Sequence, residues 1–299
     1  MLADAVAEMK EGRFKDFSMT EEERYELYLA AWLHDCGKVA TPPHVVDKGT
    51  KLETIFDRIE LIKTRMELLK KDQEIAFLRR QLNGQSNIEF DDEYKKAISE
   101  LDSNMKFLEE CNIGGEFMRP ELQEKVRSFG AKKLNIFNSE QPFLSEEEIQ
   151  NLNIPKGTLL PDEREIINDH IVITIEMLEQ LPYPKNLKNI PEFAGGHHEK
   201  MDGTGYPKGL NGSQMSTQAK IMAIADIYEA LTAADRPYKE GKKLSQAMRI
   251  MGFMKNDYHI DEDLFEIFVT SGVYREYAEK HVAKTQIDEV DEKSVLGKE

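Results

Sequence analysis

Leu52, Ile55, Ile59, Ile62, Met66 and Leu69 recur in alternating steps of three and four. That spacing lines one face of an α-helix; a strand would need steps of two. A seam of this kind requires a partner. Tyr94, Ile98, Leu101, Met105 and Leu108 offer one after the turn-forming run Asn83-Gly84-Gln85-Ser86-Asn87. The two seams predict a long antiparallel helical hairpin over residues 51–110. It reads as a charged arm that packs or dimerises and carries no chemistry.

Helical signals continue on both sides. Thr20 and Glu23 have capping-box spacing and open a helix through Leu33. His34 and Asp35 fall at its inner C-terminal end, and Gly37 stops it. Residues 111–160 are broken by Pro120, Pro142 and Pro155 and read as a connecting segment of short helices and loops. Pro161 opens a helix to about Leu181, with His170 on its apolar face beside Ile167, Ile171 and Thr174. Pro191 starts the short element that carries His197 and His198. Ser216 caps a helix from Thr217 to about Ala234, where small residues surround Asp226. Further helices are expected over 242–255, 261–271 and 273–283. No stretch alternates convincingly with period two. The expected class is all-α: one domain over residues 1–285 and a flexible acidic tail over 286–299.

Composition narrows the function. The net charge is −16, which argues against a general binder of DNA or RNA. No apolar run approaches the roughly 20 residues that span a bilayer. Cys36 and Cys111 make no disulfide framework, and a reducing cytoplasmic setting follows. Cys36 reads as packing.

Four elements nevertheless bring nitrogen and oxygen donors inward: His34, Asp35, His170, His197, His198 and Asp226. A buried carboxylate is costly unless paired or bound to a cation. Imidazoles are the commonest metal ligands. A carboxylate bridging two cations, with histidines filling the remaining positions, suits phosphoester hydrolysis by an activated water. His44, His259 and His281 read as structural or surface residues.

His34-Asp35-Cys36-Gly37-Lys38 resembles the HD motif of HD-GYP domains. His197-His198-Glu199-Lys200-Met201-Asp202-Gly203-Thr204-Gly205-Tyr206-Pro207 resembles the GYP motif. Ala223-Ile224-Ala225-Asp226 and Asp235-Arg236-Pro237-Tyr238-Lys239 resemble the segment that follows it. The likeness covers residues 1–50 and 155–285. It implies an HD-domain helical bundle interrupted by the hairpin. It also implies a metal-dependent phosphodiesterase of cyclic dinucleotides, chiefly cyclic di-GMP, that releases the linear dinucleotide and further mononucleotide. The implied centre holds two or three metals, iron or manganese. His34, Asp35 and Asp226 would hold one, with Asp35 bridging to a second on His170, His197 and His198. Lys38 is implied at the phosphodiester, as a phosphate contact or the acid for the leaving alkoxide. Tyr206, Arg236 and Lys239 are implied phosphate contacts. The family carries a histidine upstream of the HD motif, and no histidine precedes His34. The first metal is therefore expected to lack a ligand, or the chain to continue into an N-terminal sensory region. Other readings are a signalling module that binds without turnover, and an HD-type phosphohydrolase of another nucleotide.

Overall fold

The computed structural model describes residues 1–84, 88–115, 117–136, 139–233 and 241–297. Its helices in chain order are α1 (Leu2–Ala7), α2 (Glu21–Leu33), α3 (Pro43–Val46), α4 (Ile59–Leu82), α5 (Ile88–Asn112), α6 (Pro120–Gly130), α7 (Glu146–Leu152), α8 (Pro161–Asn168), α9 (His170–Glu179), α10 (Ile190–Gly195), α11 (Thr217–Thr232), α12 (Leu244–Asn256), α13 (Glu262–Thr270), α14 (Val273–His281) and α15 (Glu292–Leu296). Two short strands, β1 (Lys133–Ile136) and β2 (Ser139–Pro142), pair antiparallel between α6 and α7. No helix among the described residues is long and apolar enough to cross a membrane. The fold is all-α, as the periodicity indicates. The chain divides into two compact units, Met1–Thr41 with Ile166–Glu299, and Pro42–Glu165.

In the first unit, α1, α11, α13 and α14 surround a core that includes Val6, Ile224, Tyr228, Phe265 and Tyr274, all buried. A second cluster joins Leu27 and Ala30 of α2, Leu178 of α9, Phe193 and Ala194 of α10, and Met222 of α11. These four helices also lead into, or carry, the candidate ligands. Each fully buried Leu or Phe contributes about 1.5–3 kcal/mol, so this cluster is what holds the site's elements together. The helix ends are specified locally. Thr20 Oγ1 accepts from Glu23 N while the Glu23 carboxylate accepts from Thr20 N, closing the capping box. Ser216 Oγ caps α11 through Ala219 N at 3.1 Å. Buried Glu26 of α2 accepts from Asn189 N at 2.6 Å and Asn189 Nδ2 at 3.1 Å, which ties α2 to the start of α10.

The second unit centres on α4 and α5. Their salt bridges Lys63–Glu109 (3.1 Å) and Lys70–Asp102 (2.6 Å), and the stack of Phe77 on Tyr94 (centroids 4.4 Å apart), run in opposite chain directions. Ile62, Met66, Leu101 and Leu108 are buried and join Phe129, Phe143 and Leu152 in one core. Charged residues are paired inside it. Lys48 Nζ reaches Glu163 at 2.7 Å and Asn151 Oδ1 at 3.0 Å. Arg65 binds Glu148 and donates to Phe143 O.

Several expectations need correction. Ile55 is 96% exposed, because α4 starts only at Ile59. Asp57 Oδ1 accepts from Ile59 N at 3.0 Å and opens the helix there. The β1–β2 pair escaped the period-two search because its strands are four residues long and all four β2 side chains are exposed. The single helix expected from Pro161 to Leu181 is two, α8 and α9, meeting at Asp169. The tail expected to be flexible is packed through residue 297: Gln286 donates to Thr232 O and Lys242 O, both at 3.0 Å. Asp288 accepts from Ser245 N and Oγ, and Val290 is buried. Positions 85–87 of the expected turn lie outside the described residues.

Candidate metal centre

His34 is the C-cap of α2, and the chain then turns through a short 3-10 helix, Cys36–Ala40. Gly37 sets the approach of this turn to α9. A Cβ there would lie 2.0 Å from His170 O and 2.6 Å from Thr174 N, so no side chain fits. Gly37 N donates to buried Thr174 Oγ1 at 2.9 Å. The break at Asp169 makes His170 the first residue of α9. His197 and His198 follow α10, and Asp226 lies on α11.

These six residues converge. His170 Nε2 is 3.1 Å from Asp35 Oδ1 and 3.3 Å from His198 Nε2. His34 Nε2 lies 3.4 Å from both Asp35 Oδ2 and Asp226 Oδ1. The donor atoms of His170, His197 and His198 all fall within 4.8 Å of one another, and so do those of His34, Asp35 and His197. His197 is common to both groups, so the expected partition, which gave it to the second metal alone, is not clean in the geometry.

Second contacts orient the rings. Nδ1 of His34 donates to Ala31 O at 2.7 Å, Nδ1 of His197 to Ala194 O at 2.6 Å, and Nδ1 of His170 to Ile167 O. A carbonyl can only accept, so Nδ1 carries the proton in all three and Nε2 faces inward. Nε2 of His197 is buried without a hydrogen-bond partner, and the buried Nε2 of His34 and Oδ1 of Asp35 meet only other members of the cluster, at 3.4 Å and 3.1 Å. Lone pairs that converge at such distances repel unless a cation lies among them. Metal–ligand bonds of about 2.1 Å put neighbouring donors about 3 Å apart, which this cluster matches. The residues present therefore fit divalent cations.

The electrostatics agree. Burial opposes charge on His34, but hydrogen bonds to Asp226 and Asp35 prevail and push it up to about 10. Burial and the neighbouring His197 and His170 push His198 down to about 3. Burial lowers His197 as well. Asp35 and Asp226 are held below the carboxylate range: burial opposes this, and hydrogen bonds from His170, His34 and Lys38 to Asp35, and from His34 to Asp226, outweigh it. Anionic carboxylates beside neutral imidazoles are a ligand set for a hard or borderline cation. A bound cation would take the place of the proton that His34 otherwise carries.

The glycine loop forms one wall. Tyr206 stacks on the His198 ring, with centroids 4.8 Å apart and planes 18° apart. The Tyr206–Pro207 peptide is cis. Gly205 passes so close to the backbone that a Cβ would meet Lys200 N at 2.4 Å. Sequence reasoning missed the residue that folds this loop. Glu199 is 1% exposed, and its carboxylate accepts from Lys208 N at 2.7 Å and Leu210 N at 2.8 Å. An acid directly after two inward histidines was its available signal. Thr174 was missed as a partner of Gly37; its place among apolar neighbours on α9 was the corresponding hint. Lys38 is half-exposed and ion-paired with Asp35. Arg236 and Lys239 lie outside the described residues. His44 and His281 are exposed and His259 is half-buried, all apart from the cluster.

Comparison with known proteins matches this architecture. Residues 146–264 fit the model of the HD domain family. That span contains His170, His197, His198 and Asp226; His34 and Asp35 precede it in the chain, before residue 42. A 3'3'-cGAMP-specific phosphodiesterase of Vibrio cholerae is 37% identical over 94 residues, which is 31% of this chain and 21% of that protein. A cyclic di-GMP phosphodiesterase of Pseudomonas aeruginosa is 44% identical over 79 residues, 26% of this chain and 18% of that protein. One of Thermotoga maritima is 39% identical over 93 residues, 31% of this chain and 25% of that protein. The chain thus spans a quarter or less of the length of these three relatives. The stretch that carries four of the six candidate ligands thus matches an HD domain. With the motif run from His197 to Pro207, the chain is similar to HD-GYP proteins.

Proposed function

We propose that this chain is a metal-dependent phosphodiesterase that hydrolyses a cyclic dinucleotide to its linear form. The convergence of His34, Asp35, His170, His197, His198 and Asp226 carries the reading, because their inward nitrogen and oxygen atoms face one another at 3.1–3.4 Å and Nε2 of His197 is buried with no hydrogen-bond partner. The resemblance to phosphodiesterases of cyclic di-GMP and 3'3'-cGAMP supports the substrate class. His34, Asp35 and Asp226 would hold one metal, and Asp35, His170, His197 and His198 a second, with iron or manganese the expected occupants. Bound there, the metals would polarise a phosphodiester oxygen and lower the pKa of water.

The chain's own groups do the rest. The carbonyls of Ala31, Ile167 and Ala194 fix the tautomers that turn Nε2 inward. Lys38, held on Asp35, has the reach and the proton to neutralise the leaving alkoxide. Tyr206, stacked on His198, would hold the substrate against the site, and Arg236 and Lys239 would take phosphate oxygens. A cytoplasmic setting suits both the substrate and the free thiols of Cys36 and Cys111.

The test is anaerobic purification, metal analysis, and incubation with cyclic di-GMP and 3'3'-cGAMP beside Asp35→Ala. Turnover by the parent that Asp35→Ala abolishes supports the reading. Binding without turnover in a metal-replete parent favours a signalling module and overturns it.

A further inference from the structure

The face of α4 turned away from α5 carries its own apolar stripe. Leu61, Leu68, Ile75 and Leu82 are one heptad apart, and are 47%, 46%, 44% and 87% exposed. Leu78 adds to it at 48% exposed. A single exposed leucine is ordinary. Four in heptad register are not scatter, because seven residues return a helix to within about 20° of the same face. The seam toward α5 is separate: Ile59, Ile62 and Met66 are buried there. The outer stripe has no partner among the described residues.

We propose that this stripe pairs in parallel with the same stripe of a second copy of the chain, as a short two-stranded coiled coil. Taking Leu61, Leu68, Ile75 and Leu82 as the a positions makes Thr64, Lys71 and Leu78 the d positions. Parallel helices stack a on a and d on d, which gives four aliphatic layers and a fifth at Leu78. Antiparallel helices alternate a with d, and would set aliphatic residues against Thr64 and Lys71. The flanking charges are mixed in either orientation, so the aliphatic layers set it. In the parallel pair Glu74 faces Arg79 of the other helix. The antiparallel pair, with Leu68 over Lys71 and Ile75 over Thr64, would oppose Glu67 to Glu74 and set Arg65 beside Asp72. Two features weaken the parallel pair. Glu67 faces Asp72 in it, and Arg65 is already committed to Glu148. The polar d residues are satisfied within their own helix: Thr64 Oγ1 donates to Glu60 O at 2.9 Å and Lys71 Nζ to Glu74 at 2.7 Å. The result is a reversible dimer set by the a layers.

Sedimentation velocity on the full chain across a hundredfold concentration range is the first test. The parent passes from monomer to dimer, and Leu68→Glu with Ile75→Glu raises the dissociation constant at least about a hundredfold. Both positions are exposed and glutamate is a good helix former, so circular dichroism of that variant stays at the parent's level. Orientation is read by oxidation, with the parent and its two native cysteines as baseline. Ile75→Cys alone cross-links to itself in the parallel pair. A parent that stays monomeric, a double-glutamate variant that dimerises as well as the parent, or cross-linking only when Leu68→Cys and Ile75→Cys chains are mixed would each overturn the proposal.

Discussion

The two units bury polar groups to opposite ends. In the Pro42–Glu165 unit, Lys48 meets Glu163 and Asn151, Arg65 meets Glu148, and Asn112 Oδ1 accepts from Leu52 N while its Nδ2 donates to Asp57. Each charge sits on its complement. In the unit that carries the histidines the groups crowd instead: imidazole nitrogen faces imidazole nitrogen, and two carboxylates, Asp35 and Asp226, share the one His34 ring. Burying unpaired polar atoms costs several kcal/mol in total. A chain tolerates that where something outside it completes the arrangement. The difference separates polar pairs that hold a fold from polar clusters that wait for a ligand.

The comparison breaks most sharply at His197, the residue common to both donor groups. His197→Ala is expected to cut turnover by about a thousandfold or more, because it weakens both candidate positions at once. The metal content of the purified variant, measured beside its rate, checks this. Unchanged metal and unchanged rate would remove the site from consideration. Gly37→Ala follows. Its Cβ cannot fit against His170 O, so the HD turn must move off α9, at a cost of about 3 kcal/mol of overpacking. Thermal unfolding shows the loss, and metal affinity falls with it because Asp35 moves with the turn.

The balance of legibility follows the same division. The candidate ligands could be placed because their elements announce themselves locally: a capping box before α2, a proline opening α8, a serine before α11. The all-α class followed from the period of the apolar residues. What could not be read depends on contacts distant in sequence. Glu199 becomes a loop anchor only when Lys208 and Leu210 fold back over it. The packed tail rests on Gln286 and Asp288 finding α11 and α12, and nothing in a polar sequence reveals that. The seam of α4 was legible from Ile59 onward. Its extension back to Ile55 failed because the helix starts only after Arg58, where the Asp57 carboxylate accepts from Ile59 N and outweighs hydrophobic spacing.

In the other unit, Arg65→Met leaves Glu148 buried without its cation, at about 3 kcal/mol. Hydrogen exchange over α7 and the β-hairpin of the full chain is expected to quicken, while peptides carrying His197 and Asp226 keep the parent's protection. Equal loosening in both would mean the units are not energetically distinct. The same pair has a pH signature. Burial raises the Glu148 carboxyl, but the hydrogen bond from Arg65 and the one from Ser145 N outweigh it and hold it below its ordinary value. Its contribution is therefore complete above the unfolded-state pKa of about 4.3 and is lost as pH falls through the lower folded value. Protection of α7 in the parent declines below that point, and in Arg65→Met the decline flattens.

Glu199→Gln sets the smallest effect and the finest distinction. Glu199 is buried and ionisable but resembles the paired groups of the other unit, since both oxygens accept backbone hydrogens. Glutamine keeps one acceptor and turns an NH2 toward the other N–H, so about 1–2 kcal/mol of loop stability is expected to go. If Glu199 positions the loop and holds no metal, metal content stays at the parent's level and the KM for the dinucleotide rises more than kcat falls, because Tyr206 is displaced while the histidines are not. Metal loss in Glu199→Gln would place this carboxylate among the ligands instead, and the division between paired and waiting groups would have to be redrawn through the middle of the His197–Pro207 run.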